Sequence, residues 1–300
     1  MTALEIMQCP LCHSPTALLV SGPSTLPHVI KCERCGTFDS DEQFAVSWRD
    51  LQPLPKLSGL ARTHSELGER LLITFDNYED LQKRAPSSVM EKARALLRAL
   101  VRKSPQLGSA VELKIDVDYP LGFCTDEEEF RCLIYALVEL KWVTPPAHGY
   151  ILKLTLSGWS NFDQLPRTDD TKKAFVAMSF SKEMTPTYEE GIKPAIKKAG
   201  FEPIRVDDIE HTKKIDDIII VEIRESRFIV ADFTGHRNGV YFEAGFALGL
   251  GLPVIWLCRK DDLTHMHFDI RQYNCIDWTD GNDLQERLFN RIRAIIGIKK

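Results

Sequence analysis

The chain of 300 residues has no apolar run approaching the ~20 residues that a membrane span needs. Its opening, Met1-Thr-Ala-Leu-Glu-Ile, offers neither a basic head nor a hydrophobic stretch, so no signal peptide is expected and a cytoplasmic location is. No region is basic. The net charge is −3 over 1–84, 0 over 85–168 and −2 over 169–300, within a total of −5, which argues against a large non-specific nucleic-acid footprint. Glycine-rich phosphate loops are missing as well. No Gly-x-Gly-x-x-Gly follows the first strand of the C-terminal region and no Walker loop occurs, which excludes the ordinary dinucleotide and nucleoside-triphosphate folds. The length is enough for two or three domains with sizeable cores.

What is present begins with cysteine. Of 8 cysteines, four fall in two tight pairs, Cys9-Pro-Leu-Cys12 and Cys32-Glu-Arg-Cys35. In a chain expected to be cytoplasmic, that pattern points to a metal rather than to disulfides. The spacing is that of a zinc ribbon: each knuckle turns two thiolates toward one tetrahedral ion, and Gly36 eases the second turn. Four cysteines close the coordination shell, so Cys9, Cys12, Cys32 and Cys35 predict a structural rather than a catalytic zinc. The ribbon is expected over 1–52, and a helical linker over 53–84.

Residues 85–168 show helical periodicity. Ser88-Val-Met-Glu91 is a capping box, and Val89, Ala93, Leu96, Leu97, Leu100 and Val101 recur at helical spacing behind it. Thr125-Asp-Glu-Glu128 has the form of a second box, opening a helix to about residue 140. A short strand at Trp142-Val143, a turn with Pro145, Pro146 and Gly149, and a strand over 150–159 follow. This order resembles a winged helix-turn-helix domain. The helix in the recognition position starts on Asp126, Glu127, Glu128 and Glu129, which would meet phosphates with like charge, so a protein-docking or oligomerising role is favoured over DNA reading. Acids at a helix start also suit the dipole without any further role.

From residue 169 onward strands and helices alternate, which predicts an α/β domain with a parallel, doubly wound sheet, in the flavodoxin-like order 2-1-3-4-5. Ligands of such sheets sit at the carboxyl ends of the strands near the switch point. Those ends offer Ser179 and Phe180, then Asp207 and Asp208, then Asp232. The helix after Asp232 is apolar or small throughout, from Val240 to Leu250, and a helix apolar on all sides is expected to be buried. Glu243 near its start is therefore conspicuous, because carboxylates are rarely buried unless paired or reactive. A carboxylate facing an aromatic ring in a nucleoside-sized pocket suits cleavage of a glycosidic bond, whose oxocarbenium-like transition state it stabilises.

The block Val230-Ala-Asp232-Phe through Gly239-Val-Tyr-Phe-Glu243-Ala-Gly-Phe-Ala-Leu-Gly-Leu-Gly-Leu-Pro-Val254 resembles the signature of the nucleoside 2-deoxyribosyltransferase-like family, which is allied to Toll/interleukin-1-receptor-like (TIR-like) NAD-cleaving domains. The resemblance covers about residues 173–296. It implies Glu243 as nucleophile or oxocarbenium stabiliser and Asp232 as a second catalytic-site residue that binds base or ribose. It also implies Phe180 packed on the base, with Ser179, Asp207 and Gly239 as further substrate contacts. A homo-oligomer is implied, with NAD or a related nucleotide as substrate. The zinc ribbon and winged helix in front are similar in layout to bacterial anti-phage effectors, which favours hydrolysis over base exchange and a protein or nucleic-acid trigger. The alternatives are a true deoxyribosyltransferase and a non-enzymatic, nucleotide-sensing, DNA-binding regulator.

Overall fold

The computed structural model describes residues 5–20, 27–47, 52–104, 106–147, 149–165, 171–206, 215–267 and 273–299. The protein is mixed α/β and divides into two compact units, Met1–Leu165 and Pro166–Lys300. Among the described residues no helix is long and apolar enough to cross a membrane.

The first unit opens with an antiparallel meander of β1 (Glu5–Met7), β2 (Ala17–Leu19), β3 (His28–Cys32) and β4 (Gly36–Ser40). Next come α1 (Glu42–Ser47), α2 (Pro55–Glu66), β5 (Glu69–Arg70), β6 (Leu72–Ile73) and α3 (Tyr78–Arg84), with β6 joining β4 in parallel. The helical linker expected over 53–84 shares one core with the cysteine-bearing strands: Leu57, Ala61, Ile73 and Leu81 pack with Cys9, Leu11, Ile30 and Phe38. The Arg62 guanidinium of α2 donates to the carbonyls of Glu33 and Arg34, both at 3.0 Å, and so ties the second cysteine knuckle to a helix.

Then follow α4 (Val89–Lys103), β7 (Ala110–Glu112), α5 (Ile115–Asp118), α6 (Glu127–Glu139), β8 (Ile151–Lys153) and α7 (Leu156–Gln164). β7 and β8 pair antiparallel, and Val143 bridges to Leu154 beside them. Leu96, Leu97 and Leu100 of α4 meet Phe130, Ile134 and Leu137 of α6 in one core. The Ser88 box forms as expected, with Ser88 Oγ accepting from the Glu91 N–H and the Glu91 carboxylate accepting from the Ser88 N–H at 3.0 Å. The second box sits one residue later than expected. Asp126 is the cap, accepting from the Glu129 N–H at 2.9 Å, while Glu129 reaches back to the Thr125 N–H at 2.7 Å. A carboxylate at Asp126 accepts this bond at least as well as the hydroxyl at Thr125. The strand expected over 150–159 stops at Lys153, because Thr155 caps α7 by accepting from the Gly158 N–H at 3.1 Å.

The second unit holds a five-stranded sheet, entirely parallel. Its elements in chain order are β9 (Lys173–Ala177), a π-helical turn (Thr187–Ile192) running into α8 (Lys193–Lys198), β10 (Glu202–Ile204), α9 (Ile215–Glu225), β11 (Phe228–Asp232), α10 (Asn238–Gly249), β12 (Val254–Arg259), β13 (Ile276–Trp278) and α11 (Gly281–Ile295). The strand order is β10-β9-β11-β12-β13. Side chains of β9 and β11 alternate between two helical layers, as the period of two requires. Ala174, Val176, Phe228 and Val230 meet Tyr188, Ile192, Leu284 and Leu288 on one face. Phe175, Ala177, Ile229 and Ala231 meet Ile223, Val240, Ala244 and Ala247 on the other. The helix α10, expected to be buried on all sides, is buried on one: Val240, Glu243, Ala244 and Ala247 are covered, whereas Phe242 is 60% exposed and Leu248 39%. A sheet covers only the side of a helix that lies on it, and the outer positions Phe242 and Leu248 stay exposed.

One close approach in the first unit gives a stability test. A Cβ added to Gly158 would collide with the backbone carbonyl oxygen of Trp142. Gly158→Ala is expected to destabilise the protein by about 1–3 kcal/mol, as overpacking does. Urea denaturation of the variant checks this, and an unchanged midpoint would count against the packing of α7 on the turn at Trp142.

Candidate functional site

A parallel sheet leaves its strand ends open, and the break in the order falls between β9 and β11, where the chain turns first to one side and then to the other. A pocket of about 370 Å³ lies at this point. One wall is the segment that leaves β9: Met178, Ser179, Phe180 and Ser181. The other is the start of α10: Arg237, Gly239, Val240 and Glu243. Met178 is held in the core at 3% exposure, whereas Phe180 lines the pocket and is 52% exposed. Thus Ser179, Phe180, Gly239 and Glu243, four residues picked from the sequence, line a single pocket.

Glu243 belongs to the buried stripe of α10, between Val240 and Ala244, which pack against the sheet. Its residue is buried, at 9% exposure. No hydrogen bond or ion pair reaches its carboxylate among the described residues, and burial alone pushes the carboxyl up to about 7. Gly239 lies one turn before it, and a Cβ there would meet only Glu243 Oε1, at 3.9 Å. The missing side chain at 239 keeps the carboxylate reachable from the pocket. No side chain caps the N-terminus of α10, and Arg237 stands next to it at the rim. Uncapped N–H groups and a guanidinium together favour an anionic group at this end of the pocket. An isolated carboxyl with a pKa near neutrality, beside an anion-attracting rim and an aromatic ring, can act as acid, base or nucleophile.

Asp232 is placed elsewhere. It is fully buried and does not line the pocket. Its Oδ1 accepts from the Thr234 N–H at 2.9 Å and its Oδ2 from the Trp278 indole N–H at 3.0 Å, so it ties the end of β11 to β13. Burial pushes this carboxyl above its ordinary value, against the hydrogen bonds from Thr234 and Trp278. Asp207 lies outside the described residues. Arg237 carried no site role in the sequence reading; its signal was its place directly before α10, at the cap position of a helix that no side chain caps.

In the first unit the four knuckle cysteines converge and could hold a metal ion. Their sulfurs stand 3.7 Å apart for Cys9 and Cys35 and 3.6 Å for Cys12 and Cys32. Ligands at the ~2.3 Å zinc–sulfur distance span about 3.8 Å along a tetrahedron's edge, close to what is observed. Burial pushes the Cys9 and Cys35 thiols well up, so a cation would be needed to hold all four ionised. Ser58 Oγ lies 3.1 Å from Cys35 Sγ and helps to fix its direction.

No family model and no curated protein matches the chain.

The raised carboxyl of Glu243 has a stability consequence. Its value in the folded chain, about 7, exceeds its ordinary 4.5, so the unfolded chain loses this proton first as pH rises. The native state is therefore penalised progressively between these two values, and the penalty is full above both. Glu243→Gln removes it. The variant is expected to match the wild type near pH 4 and to exceed it at pH 8 by on the order of 2–3 kcal/mol. Urea denaturation at the two pH values measures the difference; equal offsets at both would mean the carboxylate is not desolvated.

Proposed function

We propose that the second unit is an N-glycosidase that cleaves the ribose–base bond of NAD or a related nucleotide. The observation that carries this reading is an unpartnered, desolvated carboxylate, Glu243, in a pocket at the sheet's switch point with Phe180 across the opening. Phe180 would pack on the base, Ser179 would contact the sugar, and Arg237 with the start of α10 would receive phosphate. As the C1′–N bond breaks, its electron pair leaves with the base, and the ionised Glu243 faces the positive charge developing at C1′. Water then adds to C1′, and the carboxylate takes up the proton that water loses. A cationic substrate such as a pyridinium ribosyl group would itself favour the ionised form of Glu243. The resemblance of the block around Asp232 and Glu243 to nucleoside 2-deoxyribosyltransferase-like and TIR-like domains supports the same chemistry, and the strand order agrees with a flavodoxin-like sheet.

The first unit fits the role of a sensor. A ribbon around a structural zinc would anchor it, and the α4–β7–α6–β8 order suits a winged helix. Glu127 and Glu128 at the start of α6 pair with Arg131 at 3.2 Å, which leaves an acidic helix end suited to protein docking rather than to phosphates. The outward Phe242, whose ring stacks on the half-buried Phe246 at 6.2 Å, suits a homo-oligomer. In this reading the chain is an anti-phage effector that degrades a nucleotide once triggered.

Wild type is expected to release free base from NAD or from one of a panel of nucleosides and nucleotides, read by chromatography, and Glu243→Gln to lower the rate by about 10²–10⁴-fold. Gly239→Leu, which covers the carboxylate, is expected to lower it likewise while leaving the fold intact. Undiminished release by Glu243→Gln removes Glu243 from the chemistry. Silence across the panel, with and without phage-infected lysate, overturns the glycosidase. Transfer to an added free base would identify a deoxyribosyltransferase instead. Zinc at the four cysteines has its own test. Cys32→Ser is expected to lose that zinc in metal analysis and to melt the ribbon, since binding free energy in such small units is folding free energy.

A further inference from the structure

Two loops of the second unit bring together side chains that the proposed reaction does not use. The loop between β11 and α10 carries His236, whose backbone is left-handed (φ +50°), a conformation that residues other than glycine seldom adopt. The loop after β12 carries Asp262 and His265. His236 Nε2 lies 3.2 Å from Asp262 Oδ1, and His265 Nδ1 lies 3.1 Å from the same oxygen. One donor atom from each residue falls within 4.8 Å of the others.

Both flanking groups act as supports. Asp262 Oδ2 accepts from the Gly235 N–H at 2.7 Å, which aims the other oxygen at the two rings. His236 Nδ1 lies 3.1 Å from the Tyr241 hydroxyl. With Nδ1–H donated to that oxygen, the lone pair is left on Nε2, the arrangement that a metal-bound imidazole takes. Nε2 is buried, and although Asp262 Oδ1 is near, it makes no aligned hydrogen bond among the described residues. At ~2.0–2.1 Å from one ion, two tetrahedral ligands stand about 3.3 Å apart, and the two measured separations fall just short of this.

We propose that His236, Asp262 and His265 form a second metal site, for zinc or a similar divalent transition-metal ion. Two imidazole nitrogens and one carboxylate oxygen suit such an ion and leave at least one position open to water. The site pins the loop that delivers Arg237 to the rim of the pocket, since His236 is its neighbour in the chain. It is independent of the glycosidase reading and of the four cysteines.

Equilibrium dialysis of the full chain against Zn²⁺, with metal analysis, compares wild type with the His236→Gln/His265→Ala double variant. Wild type is expected to hold about one equivalent more than the variant. Loading with Co²⁺ separates the two sites, because only the cysteines give a thiolate charge-transfer band, and an unchanged near-ultraviolet circular dichroism spectrum, to which the buried Trp256 and Trp278 contribute, shows that the second unit of the variant stays folded. His265→Ala alone, a change at an exposed ring, is expected to weaken the extra equivalent by about 100-fold or more, and Tyr241→Phe by about 10–100-fold. Equal zinc contents in wild type and the double variant overturn the site.

Discussion

The second unit depends on one constraint: a parallel sheet has no solvated face, so β9 and β11 must bury side chains in both directions at once. Ala174 and Val176 go to one helical layer, and Phe175 and Ala177 to the other. That demand explains the unbroken apolar runs of these strands. It also leaves only the strand ends free for chemistry. The pocket, the rim arginine and the carboxylate all occur where the sheet stops and the order of strands changes side.

Glu243 runs against the same constraint. The stripe of α10 that lies on the sheet is Val240, Glu243, Ala244 and Ala247, and a carboxylate in that stripe has given up water without gaining a partner. Natural cores rarely retain such a group unless it is used. Asp232 shows the opposite solution only eleven positions earlier in the chain. It is more deeply buried, but Thr234 and Trp278 satisfy both oxygens, so it serves as a fastener between β11 and β13. Two buried acids on adjacent elements thus differ in role because their hydrogen-bond partners differ.

The first unit is held together by other means. Its strands are two to five residues long, and its core is completed by the cysteine cluster and by α2. The guanidinium of Arg62 on the carbonyls of Glu33 and Arg34 shows how a helix read as a spacer becomes part of the core around the four cysteines. Four sulfurs at the separations of a tetrahedral site could hold a metal ion within that small core.

Local rules were enough for several features. Two Cys-x-x-Cys pairs bring four thiols together wherever the knuckles close, because the spacing itself sets the geometry. Alternation of strands and helices set the parallel sheet, and Ser88 with Glu91 set the start of α4. Glu243 was legible because a lone acid in an apolar helix breaks its own pattern. The tertiary structure alone decided what depends on partners distant in the chain. It settled that Trp278 satisfies Asp232, that α10 turns Phe242 outward, and that Asp126 rather than Thr125 caps α6. The meeting of His236 with Asp262 and His265 belongs here too, since those residues come from loops after two different strands, and no spacing in a sequence records which loops a sheet places side by side.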